Sequence, residues 1–140
     1  MIGAVEITDD LAACHALRRT VFIEEQGISE PDEWDDLDAD AVHLLARIDG
    51  RPVATARLLR DHEIGKIGRI CVLEEARGTG LGAALVRFGL AHFEADPDIT
   101  RVELGAQAHA EGFYRKLGFI PFGDLYDDAG IPHRMMRCTL

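Results

Sequence analysis

A glycine-rich turn between an apolar strand and a helix is the part of this sequence best built for chemistry. Ile70-Cys71-Val72 leads through Leu73-Glu74-Glu75-Ala76 into Arg77-Gly78-Thr79-Gly80-Leu81-Gly82, and then into Ala83-Ala84-Leu85-Val86. Glycines let backbone N–H groups approach a ligand with no Cβ in the way, and a helix start adds about half a positive charge. The run is an anion cradle suited to a diphosphate, with Arg77 as a fixed positive charge at its entrance. Three glycines in five positions make a plain helix start the weaker reading. A Walker A loop is excluded because no Gly-Lys-Ser/Thr follows. Gly78, Gly80 and Ala83 fill the dinucleotide pattern G-x-G-x-x-G/A, but only 57 residues remain after Ala83. That is too few for the further strand–helix–strand units of a dinucleotide fold.

Charge is the second chemical signal. The 140 residues carry 25 Asp and Glu against 15 Lys and Arg, a formal net charge of -10. Such a balance disfavours nucleic acid, whose phosphates need a basic surface, and favours drawing a cation inward. Nine acids and no basic residue fall in one stretch: Glu24, Glu25, Glu30, Asp32, Glu33, Asp35, Asp36, Asp38 and Asp40. Read plainly, most of these side chains belong to a solvated loop; read more sharply, they rim an amine-binding cleft. Calcium is excluded, because Ala41 and Arg47 stand where its loop needs a turn glycine and a bidentate glutamate. Cys14, Cys71 and Cys138 are odd in number and lack CxxC spacing. They read as reduced packing thiols of a cytoplasmic protein, and no metal is expected. No apolar run approaches the roughly 20 residues of a membrane span. The acidic residues Glu6, Asp9 and Asp10 do not look like part of a signal peptide.

The elements that must position these groups follow from periodicity. Met1 to Ile7 can form a strand, and Asp9 or Asp10 can cap a helix carrying Leu11, Cys14, Leu17, Val21 and Phe22, ending near Gly27. The acidic loop has no period. Val42 to Ile48, the turn Asp49-Gly50 and Val53 to Leu59 read as a hairpin. Ile64 to Val72 follows as a strand, with Gly65 and Gly68 marking local weakness or a bulge. A helix from about Gly80 to Glu94 carries Leu81, Leu85, Phe88 and His92 on one stripe. Val102 to Leu104 is a strand, Ala110 to Leu117 a helix, and strands at Phe119 to Phe122 and Arg134 to Thr139 close the chain. The expected architecture is a single α/β domain over residues 1–140, a mixed sheet with helices on its faces.

With the elements placed, the sequence resembles the GNAT superfamily of N-acetyltransferases, whose signature Q/R-x-x-G-x-G/A is filled by Arg77, Gly80 and Gly82 directly after a strand. Phe113-Tyr114-Arg115-Lys116-Leu117-Gly118-Phe119 resembles the family's second hallmark, an aromatic pair on a short helix followed by Gly-Phe. Gln107 stands where the family commonly places an amide facing the cofactor. Val21-Phe22-Ile23-Glu24-Glu25-Gln26-Gly27, Glu33, Asp35-Asp36-Leu37-Asp38, His43-Leu44 and Gly130-Ile131-Pro132-His133 resemble one small bacterial branch of uncharacterised members.

The resemblance implies a mostly antiparallel twisted sheet, splayed between its fourth and fifth strands to hold acetyl-CoA. The pantetheine arm would lie along Ile70, Cys71 and Val72, and the diphosphate on the amides of Gly78, Thr79, Gly80, Leu81 and Gly82. A backbone N–H near Val72 would polarise the thioester. Tyr114 would be the general acid, and the acetyl group would pass to a primary amine by direct attack in a ternary complex. Many members use a fourth-strand glutamate as base, but here that strand shows Lys66, Gly68 and Arg69. Glu25, His43, Glu103, His109 and His133 are the alternatives, with the histidines titrating in the useful range. Glu25, Trp34, His43 and His133 are the residues expected at the acceptor, Trp34 otherwise anchoring the acidic loop. The partner is then a small-molecule or protein amine, with no membrane or nucleic acid; a homodimer is in keeping with the family. Two other readings stay open. Arg18, Phe22, Trp34, Asp36, Asp38 and Ala56-Arg57-Leu58-Leu59 are similar to residues of acyl-homoserine-lactone synthases, and a non-catalytic acyl-CoA sensor would share the cradle.

Overall fold

The computed structural model describes residues 4–140, and among them seven strands form one sheet. In chain order these are β1 (Val5–Thr8), β2 (Val42–Ile48), β3 (Arg51–Asp61), β4 (Ile64–Val72), β5 (Arg101–Gln107), β6 (Ile120–Asp128) and β7 (Ile131–Thr139). Across the sheet the order is β1-β2-β3-β4-β5-β7-β6. All neighbours are antiparallel except β4 and β5. Four α-helices accompany them: α1 (Leu11–Arg18), α2 (Glu30–Glu33), α3 (Leu81–Glu94) and α4 (Glu111–Lys116). The mixed sheet flanked by helices agrees with the expected fold class. Of the strand expected from Met1, the first three residues lie outside the described part.

Alternation along the strands divides the core in two. Leu44 packs with Ile67, Leu81, Leu85, Val86, Phe93 and Val102 in the larger cluster, on the α3 side. Its neighbour Leu45 faces the other way, joining Cys71 beneath Cys14, Leu17, Val21 and Phe22. Helix α3 is the crossover that a parallel pair requires. Its buried stripe is Leu81, Leu85, Gly89 and Phe93, rotated from the expected one, so that His92 is left at the margin. The contact is close: a Cβ on Gly89 would lie 2.8 Å from Ile67 Cδ1.

The expected hairpin turn forms, with Asp49 and Gly50 both at positive φ. The C-terminal strands run much longer than expected, because Ala129 and Gly130 make a second such turn. Helix α1 does not simply continue to Gly27. It widens into a π-helical segment over Arg19–Glu25, which keeps Val21 and Phe22 buried.

Strands β4 and β5 pair at three positions only, Ile64↔Arg101, Gly65↔Val102 and Lys66↔Glu103. Beyond them the strands separate. The cause lies in β4, where Arg57 pairs with Gly68 and Thr55 with Cys71. Ala56 therefore faces two residues, Arg69 and Ile70. This bulge puts Arg69 in the left-handed region, at φ 50, and bends β4 away from β5. Of the two glycines expected to mark local weakness or a bulge, Gly68 borders the bulge, while Gly65 is regularly paired and makes room for the Phe93 ring.

The acidic stretch is the largest correction. It contains α2 and a 3₁₀ turn at Asp38–Asp40, and its central acids are locked rather than solvated. Arg18, 1% exposed, donates from Nε to Glu33 Oε2 at 2.8 Å and from Nη1 to Asp38 Oδ1 at 2.9 Å. Arg57 donates from Nη1 to Asp35 at 2.8 Å and to Asp38 at 3.0 Å. Arg69 Nε lies 3.1 Å from Glu33 Oε2. Burial alone would raise the Asp38 carboxyl, but hydrogen bonds from Arg18, His15 and Arg57 outweigh it and hold the group well below the usual carboxylate range.

Candidate active site

The glycine turn closes as an open cradle. Gly78 and Gly80 adopt φ of 78 and 87, with no atom within 4 Å of a Cβ built on either. Thr79 Oγ1 donates to the Ala76 carbonyl at 2.5 Å and pins the turn. The first backbone bond of α3 runs from Ala84 to Gly80 at 3.0 Å. Among the described residues, the amides from Gly78 to Ala83 find no backbone acceptor. They are the orphan donors of a helix start, gathered on glycine backbone, and fit a diphosphate. The Leu81 side chain is buried in the core, so Leu81 and Gly82 offer their amides to this cradle.

The gap between β4 and β5 opens into a cleft of about 380 Å³, walled by Ile67, Gly68, Arg69 and Ile70 on one side and by Gly105 and Gln107 on the other. Leu73 donates to the Val53 carbonyl at 2.8 Å. Because donors alternate along an antiparallel ladder, the Val72 amide turns the opposite way, toward the gap. Ile70 lines the cleft, whereas the Cys71 side chain is buried against α1 and can offer only backbone. Burial pushes the Cys71 thiol pKa far up, so it is no nucleophile.

Across the gap, register aligns three residues on one face: Gln107 opposite His133, and His133 opposite Tyr126. All three line the cleft. Gln107 donates from Nε2 to Gln26 Oε1 at 2.9 Å, and its Oε1 is 2.8 Å from His109 Nε2. His133 is 9% exposed, with Nδ1 2.7 Å from the Ile131 carbonyl. Tyr126 leans over Gly105 to donate to Met135 Sδ at 3.3 Å, and a Cβ at Gly105 would collide with its hydroxyl. Tyr114 reaches the cleft from α4, its ring held edge-on by Phe113 and Phe119 at centroid distances of 5.0 and 6.2 Å. Its hydroxyl has no hydrogen-bond partner among the described residues. Burial pushes its pKa up to about 12, so the phenol stays a proton donor through the physiological range.

A phosphate cradle, a strand pair opened beside it and a half-buried tyrosine in the wall of the gap are the parts of an acyl-CoA site. The sequence matches the Acetyltransferase (GNAT) domain family over residues 21–140. The chain belongs to the GNAT superfamily. This GNAT domain is 40% identical over 131 residues to the protein ElaA of Escherichia coli strain K12, covering 88% of this chain and 83% of that one. The crystal structure of Escherichia coli ElaA superposes with a TM-score of 0.84 at 35% identity, over 99% of both chains. An acyl-CoA N-acyltransferase from Pseudomonas aeruginosa gives a TM-score of 0.85 at 35% identity, again over 99% of both. A CoA-dependent acyl-homoserine lactone synthase, BjaI, gives 0.75 at 20% identity, covering 99% of this chain and 82% of that one. It shares the fold alone.

Several residues expected at the acceptor stand elsewhere in this GNAT domain. The His43 ring is buried, with Nε2 2.9 Å from the Asp38 carbonyl, outside the cleft. Trp34 lies over the Arg18 and Arg19 guanidinium groups at 5.2 and 5.6 Å, where it anchors the acidic segment. Glu25 binds the guanidinium of Arg77 at 2.8 and 2.9 Å, so it meets the cradle instead of the acceptor. Arg77 also donates from Nε to the Val72 carbonyl at 3.0 Å, which ties the cradle to β4. Glu103 is paired with Arg101, at the closed end of the split. Arg18, Trp34, Asp38 and Arg57, shared with lactone synthases on sequence, are engaged with one another.

Asp32 and Glu33 of the acidic stretch line the cleft, as the sharper reading of that stretch expected, whereas Gly105, Tyr126, Arg69 and Asp128 line it without having been singled out for it. Gly105 alone carried a readable signal, since a lone glycine inside a strand marks close approach by another group. The others depend on the hairpin and the bulge, which become visible only in three dimensions.

Proposed function

We propose that this GNAT domain transfers an acetyl group from acetyl-CoA to a primary amine, by direct attack while both are bound. The observation that carries this reading is Tyr114, whose hydroxyl has no hydrogen-bond partner among the described residues, in the wall of the cleft that also holds the Gln107–His133–Tyr126 row. The cradle would take the diphosphate, and the Val72 amide would polarise the thioester carbonyl. Tyr114 would donate its proton to the departing thiolate. A small-molecule or protein amine would enter from the side of Tyr126 and His133. Cys71 being buried, no covalent acyl-enzyme route offers itself, which favours direct transfer.

The test is calorimetric titration with acetyl-CoA, using CoA, NAD and S-adenosylmethionine as comparators, followed by single-turnover thiol release with primary amines. Selective acetyl-CoA binding and a Tyr114→Phe rate lowered about 10²–10⁴-fold, with affinity kept, are expected. Binding without transfer to any amine would indicate a sensor. Binding of S-adenosylmethionine alone would overturn the assignment.

A further inference from the structure

We infer that His133 is the general base that takes the proton from the acceptor amine, an inference that rests on the transfer reading above. An alkylamine with a pKa of roughly 10 is almost entirely protonated near neutrality and cannot attack until it loses a proton. The β4 bulge, the expected seat of a base, carries Arg69, whose guanidinium is engaged by Glu33 and Asp35. Among the other candidates, Glu25 is held by Arg77, Glu103 by Arg101, and His43 is buried against Asp38. His109 is exposed and does not line the cleft, its Nε2 lying against the Gln107 side-chain oxygen.

His133 differs from all of these. Its Nδ1 faces a backbone carbonyl at 2.7 Å. A carbonyl accepts only, so Nδ1 holds the ring proton and Nε2 holds the lone pair. Nε2 has no partner among the described residues, although the side chain is nine-tenths buried in the cleft wall. The Tyr126 ring, 5.7 Å away, fixes its orientation. The charged and titratable groups lining the same cleft are Asp32 and Glu33 from α2, Arg69 from β4, Tyr114 from α4, and Tyr126 and Asp128 from β6.

The step balances as follows. Nε2 takes one proton from R–NH₃⁺, and the freed lone pair forms the C–N bond. The C–S bond breaks with its electron pair on sulfur, which takes the Tyr114 proton. The phenolate regains a proton from the acylated nitrogen, and the imidazolium releases its proton to water.

The experiment compares wild type with His133→Asn, which keeps a donor for the Ile131 carbonyl but lacks the base. Single-turnover transfer from acetyl-CoA to n-butylamine and 1,4-diaminobutane is followed from pH 7 to 9.5, with acetyl-CoA affinity measured alongside. At pH 7 the variant should be slower by about 10²–10⁴-fold. The gap should narrow as pH rises, because the solution then supplies free amine; a purely structural loss would stay constant. Added imidazole should restore part of the rate of His133→Ala. A pH-independent ratio, or a full-rate variant, overturns the assignment. Nitrogen NMR of the histidines tests it without any acceptor: the neutral ring should show Nδ1–H, and an Nε2–H tautomer overturns it. Acetyl-CoA binding with no transfer by wild type would instead remove the transfer reading on which it stands.

Discussion

Arg77 has two commitments, the Val72 carbonyl and the Glu25 carboxylate, and the second competes with any anion entering the cradle. Glu25→Gln should therefore tighten acetyl-CoA binding, by a few-fold at low salt and less at high salt, as screening weakens the competing charge. Arg77→Ala should weaken it. Gly80→Ala should weaken it further, since a Cβ at φ 87 costs about 1–2 kcal/mol. Calorimetric affinities of the three variants at two salt concentrations check all three directions, and identical affinities would remove the cradle assignment. Tyr114 contrasts with Arg77, because its ring packs against Phe113, Phe119 and the apolar core while its hydroxyl is left for chemistry.

At the scale of elements, the split between β4 and β5 depends on where β4 is held as well as where it bulges. Phe93 of α3 presses on Gly65, where a Cβ would lie 2.6 Å from the ring. Gly65→Ala must push the helix outward, at a cost of about 1–3 kcal/mol. A fall in Tm with reduced acetyl-CoA affinity is expected, because α3 carries the cradle at its other end. Much of this frame was legible in sequence. The glycine turn and helix announce themselves through Gly78, Gly80 and Gly82, and the Asp49-Gly50 hairpin through its turn pair. Other features were not legible, for physical reasons. The α3 stripe was misplaced because Gly89 has no hydrophobic signal, yet it marks a close contact with the sheet. The long β6–β7 hairpin was cut short because Ala129 sits at φ 54 without being a turn-forming type. Cleft residues such as Tyr126 and His133 meet only through that hairpin's register.

Over the whole molecule, the net charge of -10 conceals an interior where charge is nearly balanced. Arg18, Arg57 and Arg69 lie against Glu33, Asp35 and Asp38, joining α1, the acidic segment and the sheet. Glu33 is only 2% exposed, so removing Arg18 leaves a buried carboxylate with Arg69 as its one remaining guanidinium partner. Arg18→Met should cost about 3–5 kcal/mol, a fall of roughly 10 °C or more in Tm. The same network sets the acid limit. The Asp38 pKa is lower folded than unfolded, where it is about 3.9. Its contribution is thus complete above that value and is lost as pH falls through it toward the folded pKa. Thermal melts should hold steady down to about pH 5 and decline below about pH 4. Asp38→Asn should be weaker at neutral pH with a shallower acid decline, and an unchanged acid profile would show that Asp38 does not set it.

Three paired positions are all that join the β1–β4 half of the sheet to the β5–β7 half by strand hydrogen bonds. Past Lys66 and Glu103, each of the two central strands keeps one bare margin of peptide groups, as the rim of a torn page keeps its fibres. An extended amide-bearing arm laid between them meets the chain's own need for hydrogen-bond partners, whatever it carries at its tip. On this view the co-substrate is a missing strand as well as a donor of a group. The two halves of the molecule would be joined along their full length only while it is held, and they would part again when it leaves.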